Sequence, residues 1–306
     1  MPADAAEVFR PSRPEDASAL SRLFEEVFGH ARDPVHWGWK YFRNPRGTTS
    51  WVCEASGRLV AHCGGAPVRF RDYAREYLAL QSVDFMSSPS HPGGIGRGGV
   101  FVRTAERFFA AYCGPRKVPL VYGFPGERHR ILGERLLGYR PVEPVGELRL
   151  ASRGGDRSSE SLVEGDLPLF GRVPIDFGAV RDPVYLRWRY LEHPVWRYRK
   201  VRVRRRFGLG TQIAAIVREE DESLYVMEIG GRFSRPALED LADALSRLGR
   251  NVIFWGSLGH PAVKLLAAGG FTGTERDHHV EIRSFEQRAT PRQGEFYYTL
   301  GDYDVY

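Results

Sequence analysis

The sequence predicts an α/β protein, of the α+β kind, built from two tandem copies of one domain, each a mixed and mostly antiparallel sheet flanked by helices. The segment DPVHWGWKYFRNP at 33–45 recurs as DPVYLRWRYLEHP at 182–194, and the predicted elements that follow each copy come in the same order. A polar stretch, SRGGDRSSES, separates the two copies. The predicted organisation is a first domain at 1–150, a linker at 151–167, a second domain at 168–286 and an aromatic, acidic tail at 287–306.

The first copy predicts ten elements. Helices are indicated by apolar residues spaced three and four apart, and strands by apolar runs or alternation between turn residues. In chain order we expect a strand at 7–12, helices at 14–28 and 34–44, strands at 51–55, 59–70 and 76–88, a helix at 100–111, a strand at 118–124, a helix up to 137 and a closing strand at 142–150.

The second copy predicts the same succession. It begins with the repeated motif and ends before the aromatic tail. We expect a helix at 183–190, strands at 198–206, 211–219 and 222–229, a helix at 235–248, a strand at 251–256, a helix at 260–268 and a strand at 276–285.

Composition excludes several classes of protein. Of 306 residues 42% are hydrophobic, which is typical of a folded globular chain. No apolar run approaches the roughly 20 residues that span a bilayer, and the start has no signal-like apolar core, so we expect no membrane partner. The 3 cysteines form no Cys-x-x-Cys pair, so neither a disulfide framework nor a bound metal is expected, and a cytoplasmic location is predicted.

The net charge of +6 comes from one segment. Arg197–Arg206 holds seven of the 44 basic residues, so without it the balance against 38 acidic residues is 37 − 38 = −1. Val201 and Val203 alternate with arginines, as in a strand with one dry and one wet face. Two interpretations stay open, a solvated edge strand and a landing patch for an anionic substrate or carrier. The aromatic interleaving of an RNA-binding surface is absent, so nucleic acid is not expected.

A glycine-rich loop precedes the predicted helix at 100–111. Gly93–Gly99 contains five glycines and Arg97, and such a loop presents free backbone amides and a helix dipole to an anion. No Lys-Ser/Thr follows, as a nucleoside triphosphate loop requires, and no acidic residue completes a dinucleotide fingerprint. The loop is either an ordinary flexible connection or a cradle for a different pyrophosphate.

These features resemble the GNAT (Gcn5-related N-acetyltransferase) superfamily, and in particular its bacterial tandem type. The resemblance is carried by W-x-Y-x-x-N-P at 39–45, S-V-D-F-M-S-S-P at 82–89, G-F-P at 123–125 and the C-terminal tyrosines and aspartates, and it covers nearly the whole chain. It implies acetyl-CoA or another acyl-CoA as co-substrate, with the pyrophosphate on the glycine loop and the following helix. The residues implied to bind it are Phe85, Met86, Ser87, Gly94, Gly96, Arg97, Gly98, Gly99, Val100 and Phe101.

The resemblance also implies where catalysis occurs. A backbone amide near Phe85–Ser87 would bind the oxyanion, and Asp84, placed by alternation on one sheet face with Ser82 and Met86, is the candidate base. The family's acid is a tyrosine, but this position holds Glu134. Tyr122, His129 and Glu127 are the further candidates for the acid.

The second copy lacks the cradle. Its corresponding turn, GGRFSRP, is short and contains Pro236, so we expect the donor site in the first copy alone. The resemblance implies an N-acyltransferase that moves an acyl group to an amine of a small-molecule or sugar-linked acceptor, without a covalent intermediate. Two alternatives remain, a carrier-protein or aminoacyl-tRNA donor, and a catalytically silent binding scaffold. The aromatic tail is predicted either to be a terminal strand or a disordered end, or to dock in a groove between the copies.

Overall fold

The computed structural model describes residues 6–73, 75–91, 96–155, 158–204, 210–287 and 290–303. The chain divides into two compact units. Unit 1 comprises Met1–Val68, Leu78–Pro141 and Glu281–Ala289, and unit 2 comprises Arg69–Tyr77, Val142–Val280 and Thr290–Tyr306. Each unit has a mixed sheet with helices against it, which confirms the predicted fold class.

The elements follow the predicted order closely. The strands are β1 (Val8–Pro11), β2 (Thr49–Ala55), β3 (Arg58–Asp72), β4 (Arg75–Ser87), β5 (Leu120–Gly123), β6 (Arg140–Leu150), β7 (Glu160–Ser161), β8 (Phe177–Ala179), β9 (Arg199–Arg204), β10 (Thr211–Glu220), β11 (Ser223–Gly231), β12 (Asn251–Trp255), β13 (Thr272–Ser284) and β14 (Phe296–Tyr297). The helices are α1 (Ala17–Phe28), α2 (Pro34–Trp37), α3 (Val100–Tyr112), α4 (Glu127–Leu136), α5 (Leu167–Phe170), α6 (Pro183–Leu186), α7 (Arg235–Ser246) and α8 (Pro261–Ala268).

The two sheets share one pattern. In unit 1 the strand order is β1-β2-β3-β4-β5-β13, with β4 and β5 parallel and the pairs β1/β2, β2/β3 and β5/β13 antiparallel. In unit 2 the order is β13-β6-β12-β11-β10-β9-β7, with β11 and β12 parallel and β6/β12, β10/β11 and β9/β10 antiparallel. Each unit is therefore a meander that crosses over through one helix, α3 or α7, to a parallel strand.

The closing strands are exchanged between the halves of the chain. The strand predicted at 142–150 to close the first domain is part of β6, whose residues from Val142 belong to unit 2 and pair with β12. In unit 1 the neighbour of β5 is the end of β13, with Glu281 opposite Gly123 and Ser284 opposite Leu120. The predicted domain limits at 150 and 168 therefore differ from the limits of the units. Alternation of apolar residues predicts a strand but does not predict which strand lies beside it.

The predicted linker and tail are also parts of unit 2. Within 151–167 lies β7, which pairs with β9, so the basic strand is not an edge at that point. Its charges are partly neutralised by ion pairs, Lys200 with Asp166 at 2.6 Å and Arg202 with Glu160 at 2.7 Å. Arg205 and Arg206 lie outside the described residues. The ion pairs favour a structural role for the described part of this strand over a landing patch.

Both copies of the repeated motif build the same helix. Asp33 and Asp182 are the N-caps, accepting hydrogen bonds from the backbone of Val35 at 2.8 Å and of Tyr185 at 3.0 Å. A proline follows each cap, where its fixed φ suits a first helical turn. Each helix then widens into a π-helical turn, over Gly38–Phe42 and Arg187–Leu191, which carries the Trp and Tyr of the motif. Within the described residues, no helix is long and apolar enough to cross a membrane.

Residues 1–150 expressed alone are expected to aggregate or to form a molten state. The fragment lacks the β13 residues that cover β5, and it carries a β6 strand whose partner β12 is missing. Size-exclusion chromatography and thermal unfolding of this fragment, compared with the full chain, measure the effect. A monodisperse fragment that melts cooperatively would contradict this dependence on the exchanged strand.

Candidate active site

A wedge opens between β4 and β5 in unit 1. These parallel strands pair only at Leu80 with Val121 and Gln81 with Tyr122, and beyond that point β4 continues to Ser87 whereas β5 ends at Gly123. Ser82 lies at the apex, where its hydroxyl donates to the carbonyl of Tyr122 at 3.1 Å. Backbone groups of β4 past the apex therefore lose their neighbour on this side, as a strand-like ligand requires.

Past the apex the alternation of β4 is interrupted at Asp84, and we interpret this interruption as a bulge. Asp84 has φ +52, in the left-handed region that side chains other than Gly, Asn and Asp rarely adopt. The prediction that Ser82, Asp84 and Met86 share one face by alternation is wrong for Ser82. Val83 packs with Met86 in the cluster of α1, whereas Leu80 packs in the cluster of α3, on the side of Ser82. The bulge places Val83 and Asp84 on the same side, which ends simple alternation.

The carboxylate of Asp84 is held in a buried network. Its side chain is 5% exposed and accepts bonds from Arg32 at 2.8 Å, from Lys40 at 2.5 Å and from the Tyr41 hydroxyl at 2.7 Å. Burial by itself would raise the pKa of Asp84, but the charges of Arg32 and Lys40 outweigh burial and hold that pKa well below its usual range. Asp84 is therefore ionised at neutral pH.

A second bond fixes the backbone at the same residue. The Asp84 carbonyl accepts from Nδ1 of His62 at 2.8 Å, and Nε2 of His62 lies 2.8 Å from the Ser50 hydroxyl. Because a carbonyl can only accept, Nδ1 carries the proton, and Nε2 accepts from Ser50 when the ring is neutral. Burial lowers the pKa of His62 to about 4, so the ring is neutral at pH 7. Side chain and main chain of the bulge are thus both anchored.

These surroundings argue against the predicted role of Asp84 as the base. A carboxylate bound by two cations and a hydroxyl has little affinity for a proton, which a base must accept. We replace that role by a positioning role, in which Asp84 stabilises the bulge just past the apex of the wedge. Arg32 and Lys40 were not singled out from the sequence, although both lie in or next to the first copy of the motif.

The glycine loop leads into the N-terminus of α3. Gly99 is the N-cap, and the first backbone bond of the helix runs from Arg103 N–H to Gly99 O at 3.1 Å. The amides of Val100, Phe101 and Val102 precede that bond and point along the helix axis toward the loop. A Cβ added at Gly96 or Gly98 would meet no described atom within 4 Å. Gly94 lies outside the described residues.

The side chains next to these amides face the core. Val100 is 1% and Phe101 5% exposed, so these residues can offer a ligand only their backbone. Phe85 packs with α3 and Met86 with α1, so both can likewise contribute backbone groups alone at the wedge. Arg97 is exposed beside the loop, whereas Arg103 is paired with Glu7 at 2.6 Å. The free amides at the start of α3 and the exposed Arg97 are groups suited to a pyrophosphate.

Two glutamates meet beside the wedge. Glu134 lies on α4 and is paired with Arg130 one turn before it. Glu281 of β13 stands opposite Gly123 and is 4% exposed, and burial, followed by the charge of Glu134, raises its pKa. Glu281 was missed in the sequence because its place beside β5 depends on the strand exchange.

The remaining predicted residues lie on β5 and α4. Tyr122 is buried on β5 and packs edge to face with Phe124, with the ring centres 6.0 Å apart. His129 and Glu127 are exposed on α4. Their catalytic roles stay predictions. Among the described residues no group of three His, Cys, Asp or Glu side chains is arranged to hold a metal ion.

In unit 2 the C-terminal tail lies at the corresponding divergence. Strands β11 and β12 pair up to Val226 and Phe254, and beyond them Gly301 packs so closely that an added Cβ would lie 2.0 Å from the Tyr190 hydroxyl. Tyr303 stacks at a tilt on Trp255 at the end of β12, with the ring centres 4.5 Å apart. The tail is therefore an ordered part of unit 2 in its described residues, and a ligand entering between β11 and β12 would have to displace it.

An acid-tyrosine pair occurs in unit 2 as well. Glu228 on β11 accepts a bond from Tyr190 at 2.9 Å and pairs with Arg181 at 2.9 Å. Tyr190 is the counterpart of Tyr41 in the repeat, and Arg181 precedes the motif as Arg32 does. Burial raises the pKa of Glu228, and the nearby charge of Asp302 adds to this effect, so the opposing charge of Arg181 is outweighed.

No protein-family model matches this chain, and no curated protein sequence matches it. Solved structures do match over most of its length. A probable N-acyltransferase from Enterococcus faecalis is 12% identical over 92% of this chain and 73% of that one, with a TM-score of 0.65. A GCN5-related N-acetyltransferase from Anabaena variabilis is 14% identical over 92% and 73%, with a TM-score of 0.62. N-myristoyltransferase from Saccharomyces cerevisiae, crystallised with myristoyl-CoA, is 10% identical over 95% and 81%, with a TM-score of 0.60.

These structures define the class of fold. The protein has the GNAT fold, in two units, as the sequence resemblance implied. At identities of this size the likeness establishes architecture, and activity has to be argued from the site itself.

Replacing Asp84 by asparagine is expected to lower the free energy of unfolding by about 3–5 kcal/mol at pH 7, because two buried cations lose their counter-charge. Since the folded pKa is depressed, the stabilisation is complete above the unfolded pKa of about 4 and declines as pH falls below it. Urea unfolding at pH 7 and pH 3 should show the difference between variant and wild type shrinking in acid.

The matched control is Glu228→Gln. Replacing Glu228 leaves its cation Arg181 with Asp302 as a counter-charge, so this variant should cost less than Asp84→Asn, about 1 kcal/mol. Equal losses in the two variants would show that charge pairing is not what stabilises the bulge of β4.

Proposed function

We propose that this protein is an N-acyltransferase that moves an acyl group, most simply acetyl, from acyl-CoA to an amine of a small molecule or an amino sugar. The single observation that carries the proposal is that, in unit 1, the pairing of β4 with β5 ends at Gln81 and Tyr122, and the chain that leaves β4 enters α3 through a glycine N-cap. The GNAT fold supports it at the level of class. The reaction is proposed to take place in the cytoplasm.

The donor would be held mainly by backbone groups. In this proposal the amides of Val100, Phe101 and Val102, with those of the glycine loop, bind the pyrophosphate, and Arg97 adds positive charge. The pantetheine arm, which carries its own amides, extends along β4 past Ser82 and takes the place of the missing neighbour strand. No side chain of this cradle is required to be acidic or basic apart from Arg97.

Transfer would follow by direct attack of the amine in a ternary complex. The nitrogen attacks the thioester carbonyl, and a backbone amide in Phe85–Ser87 stabilises the oxyanion. Covalent catalysis by cysteine is not part of the proposal, because Cys53, Cys63 and Cys113 are all buried and burial raises the pKa of each thiol. The proposed donor site is in unit 1 alone, since the corresponding divergence in unit 2 is covered by the tail.

Gly99→Glu is expected to abolish acetyl-CoA binding, because it places a negative side chain at the N-cap where the pyrophosphate would lie. Isothermal titration calorimetry with acetyl-CoA, with the fold checked by circular dichroism, measures the effect. The matched control is Ser234→Glu, which introduces the same charge at the N-cap of α7 in unit 2 and should leave binding unchanged.

The same titration separates the alternatives. Wild-type protein that does not bind acetyl-CoA would contradict the proposal and favour a carrier-linked donor or a silent scaffold. Binding in the Gly99→Glu variant would show that the donor lies elsewhere. Loss of binding in both variants would contradict the assignment of the donor to unit 1 alone.

A further inference from the structure

We propose that Glu281 is the proton donor for the leaving thiolate, and that Glu134 keeps it protonated at neutral pH. The inference rests on the proposed function and assigns a residue that the sequence analysis did not select. Its basis is the position, burial and charge surroundings of one carboxyl group in unit 1.

Glu281 lies next to the apex of the wedge, on the strand that borders β5 on its other side. It is paired across the sheet with Gly123, the residue that follows the last parallel pair of β4 and β5. Residues directly opposite in antiparallel strands project to the same face. A Cβ added at Gly123 would lie 2.5 Å from the Ser82 hydroxyl at the apex. Glu281 therefore projects from the face on which Ser82 lies.

The carboxyl group is enclosed but not satisfied. Glu281 is 4% exposed, and its Oε2 has no hydrogen-bond partner among the described residues. It packs over Gly133 of α4, where a Cβ would lie 3.1 Å from Oε2, so glycine leaves it room. A buried polar atom without a partner is costly, and functional sites are where such costs are found.

The surrounding charges favour the neutral acid. Burial is the largest cause and the carboxylate of Glu134 the second, and together they raise the pKa of Glu281 to about 8, against a smaller opposing effect of Arg130. Arg130 is itself paired with Glu134, which limits how far its positive charge lowers the pKa of Glu281. At pH 7 Glu281 thus carries a proton that it can donate, as the reaction requires of an acid.

The proton balance closes within one turnover. The amine nitrogen forms a bond to the carbonyl carbon, the carbon–sulfur bond breaks with its electron pair going to sulfur, and the proton of Glu281 passes to that sulfur. The nitrogen, now carrying an extra proton, releases it through water, and Glu281 takes up a proton from the same water. The products are an amide and free coenzyme A thiol, and no oxidant, reductant or metal takes part.

The test is the pH dependence of acetyl transfer to an amine acceptor. In the wild type kcat should fall as pH rises through about 8, because Glu281 loses its proton. Glu281→Gln should lower kcat at pH 7 by about 10²-fold and remove this alkaline decline, with acetyl-CoA affinity unchanged. An aryl thioester donor, whose thiolate leaves without a proton, should reduce the difference between variant and wild type.

Glu134→Gln is the matched variant. It removes the like charge but leaves the donor in place, so the alkaline decline should move to lower pH, and kcat at pH 7 should fall by less than in Glu281→Gln. An effect on packing alone would change the stability of either variant without moving the pH at which kcat declines.

The outcomes are distinguishable. If wild-type protein neither binds acetyl-CoA nor transfers acetyl, the proposed function fails and the role of Glu281 with it. If wild-type protein is active but Glu281→Gln keeps its kcat and its alkaline decline, the role of Glu281 is overturned and the function stands. If Glu134→Gln does not shift the alkaline decline of kcat, the coupling of the two carboxyl groups is contradicted.

Discussion

The bond between the Tyr41 hydroxyl and the Asp84 carboxylate is the interaction on which the site depends. It links the helix of the repeated motif to the one residue of β4 with left-handed backbone. Arg32 and Lys40 supply the positive charge that offsets the free-energy cost of burying the carboxylate. A regular β4 would keep its side chains alternating. The left-handed backbone at Asp84 interrupts that alternation just past the last pair of β4 and β5, and the anchored side chain holds this interruption in place.

The same tyrosine–acid hydrogen bond occurs in both units, but its surroundings differ. In both units a motif tyrosine binds an acid on the third meander strand, and in both a glycine makes room for the hydroxyl. In unit 1 that glycine is Gly64 of β3, so the contact leaves the wedge open. In unit 2 it is Gly301 of the tail, so the same contact holds the tail over the divergence of β11 and β12. The charges differ accordingly, since Asp84 has two cations and Glu228 shares Arg181 with Asp302.

Local patterns made much of this predictable. The Asp-Pro start of each motif predicts a capped helix, and the glycines before Val100 predict the start of α3, because caps and turns are determined by neighbouring residues. The partners of β5 and β12 were not predictable, since β6 and β13 carry the same strand pattern whichever sheet they join. The glutamate at 281 was missed for that reason. The roles of Arg32 and Lys40 depend on a bulge that alternation does not reveal.

The exchanged strands bear on how the protein is made. About 160 residues separate β5 from the segment of β13 that covers it, so at synthesis rates of about 5–20 residues per second the first sheet waits roughly 8–30 s for its last neighbour. During that time β5 has an open edge, and β6 is already available as a wrong partner of similar pattern. Nascent chains of this protein therefore pass through a stage in which chaperone protection matters most, and it ends only when the C-terminal region leaves the ribosome.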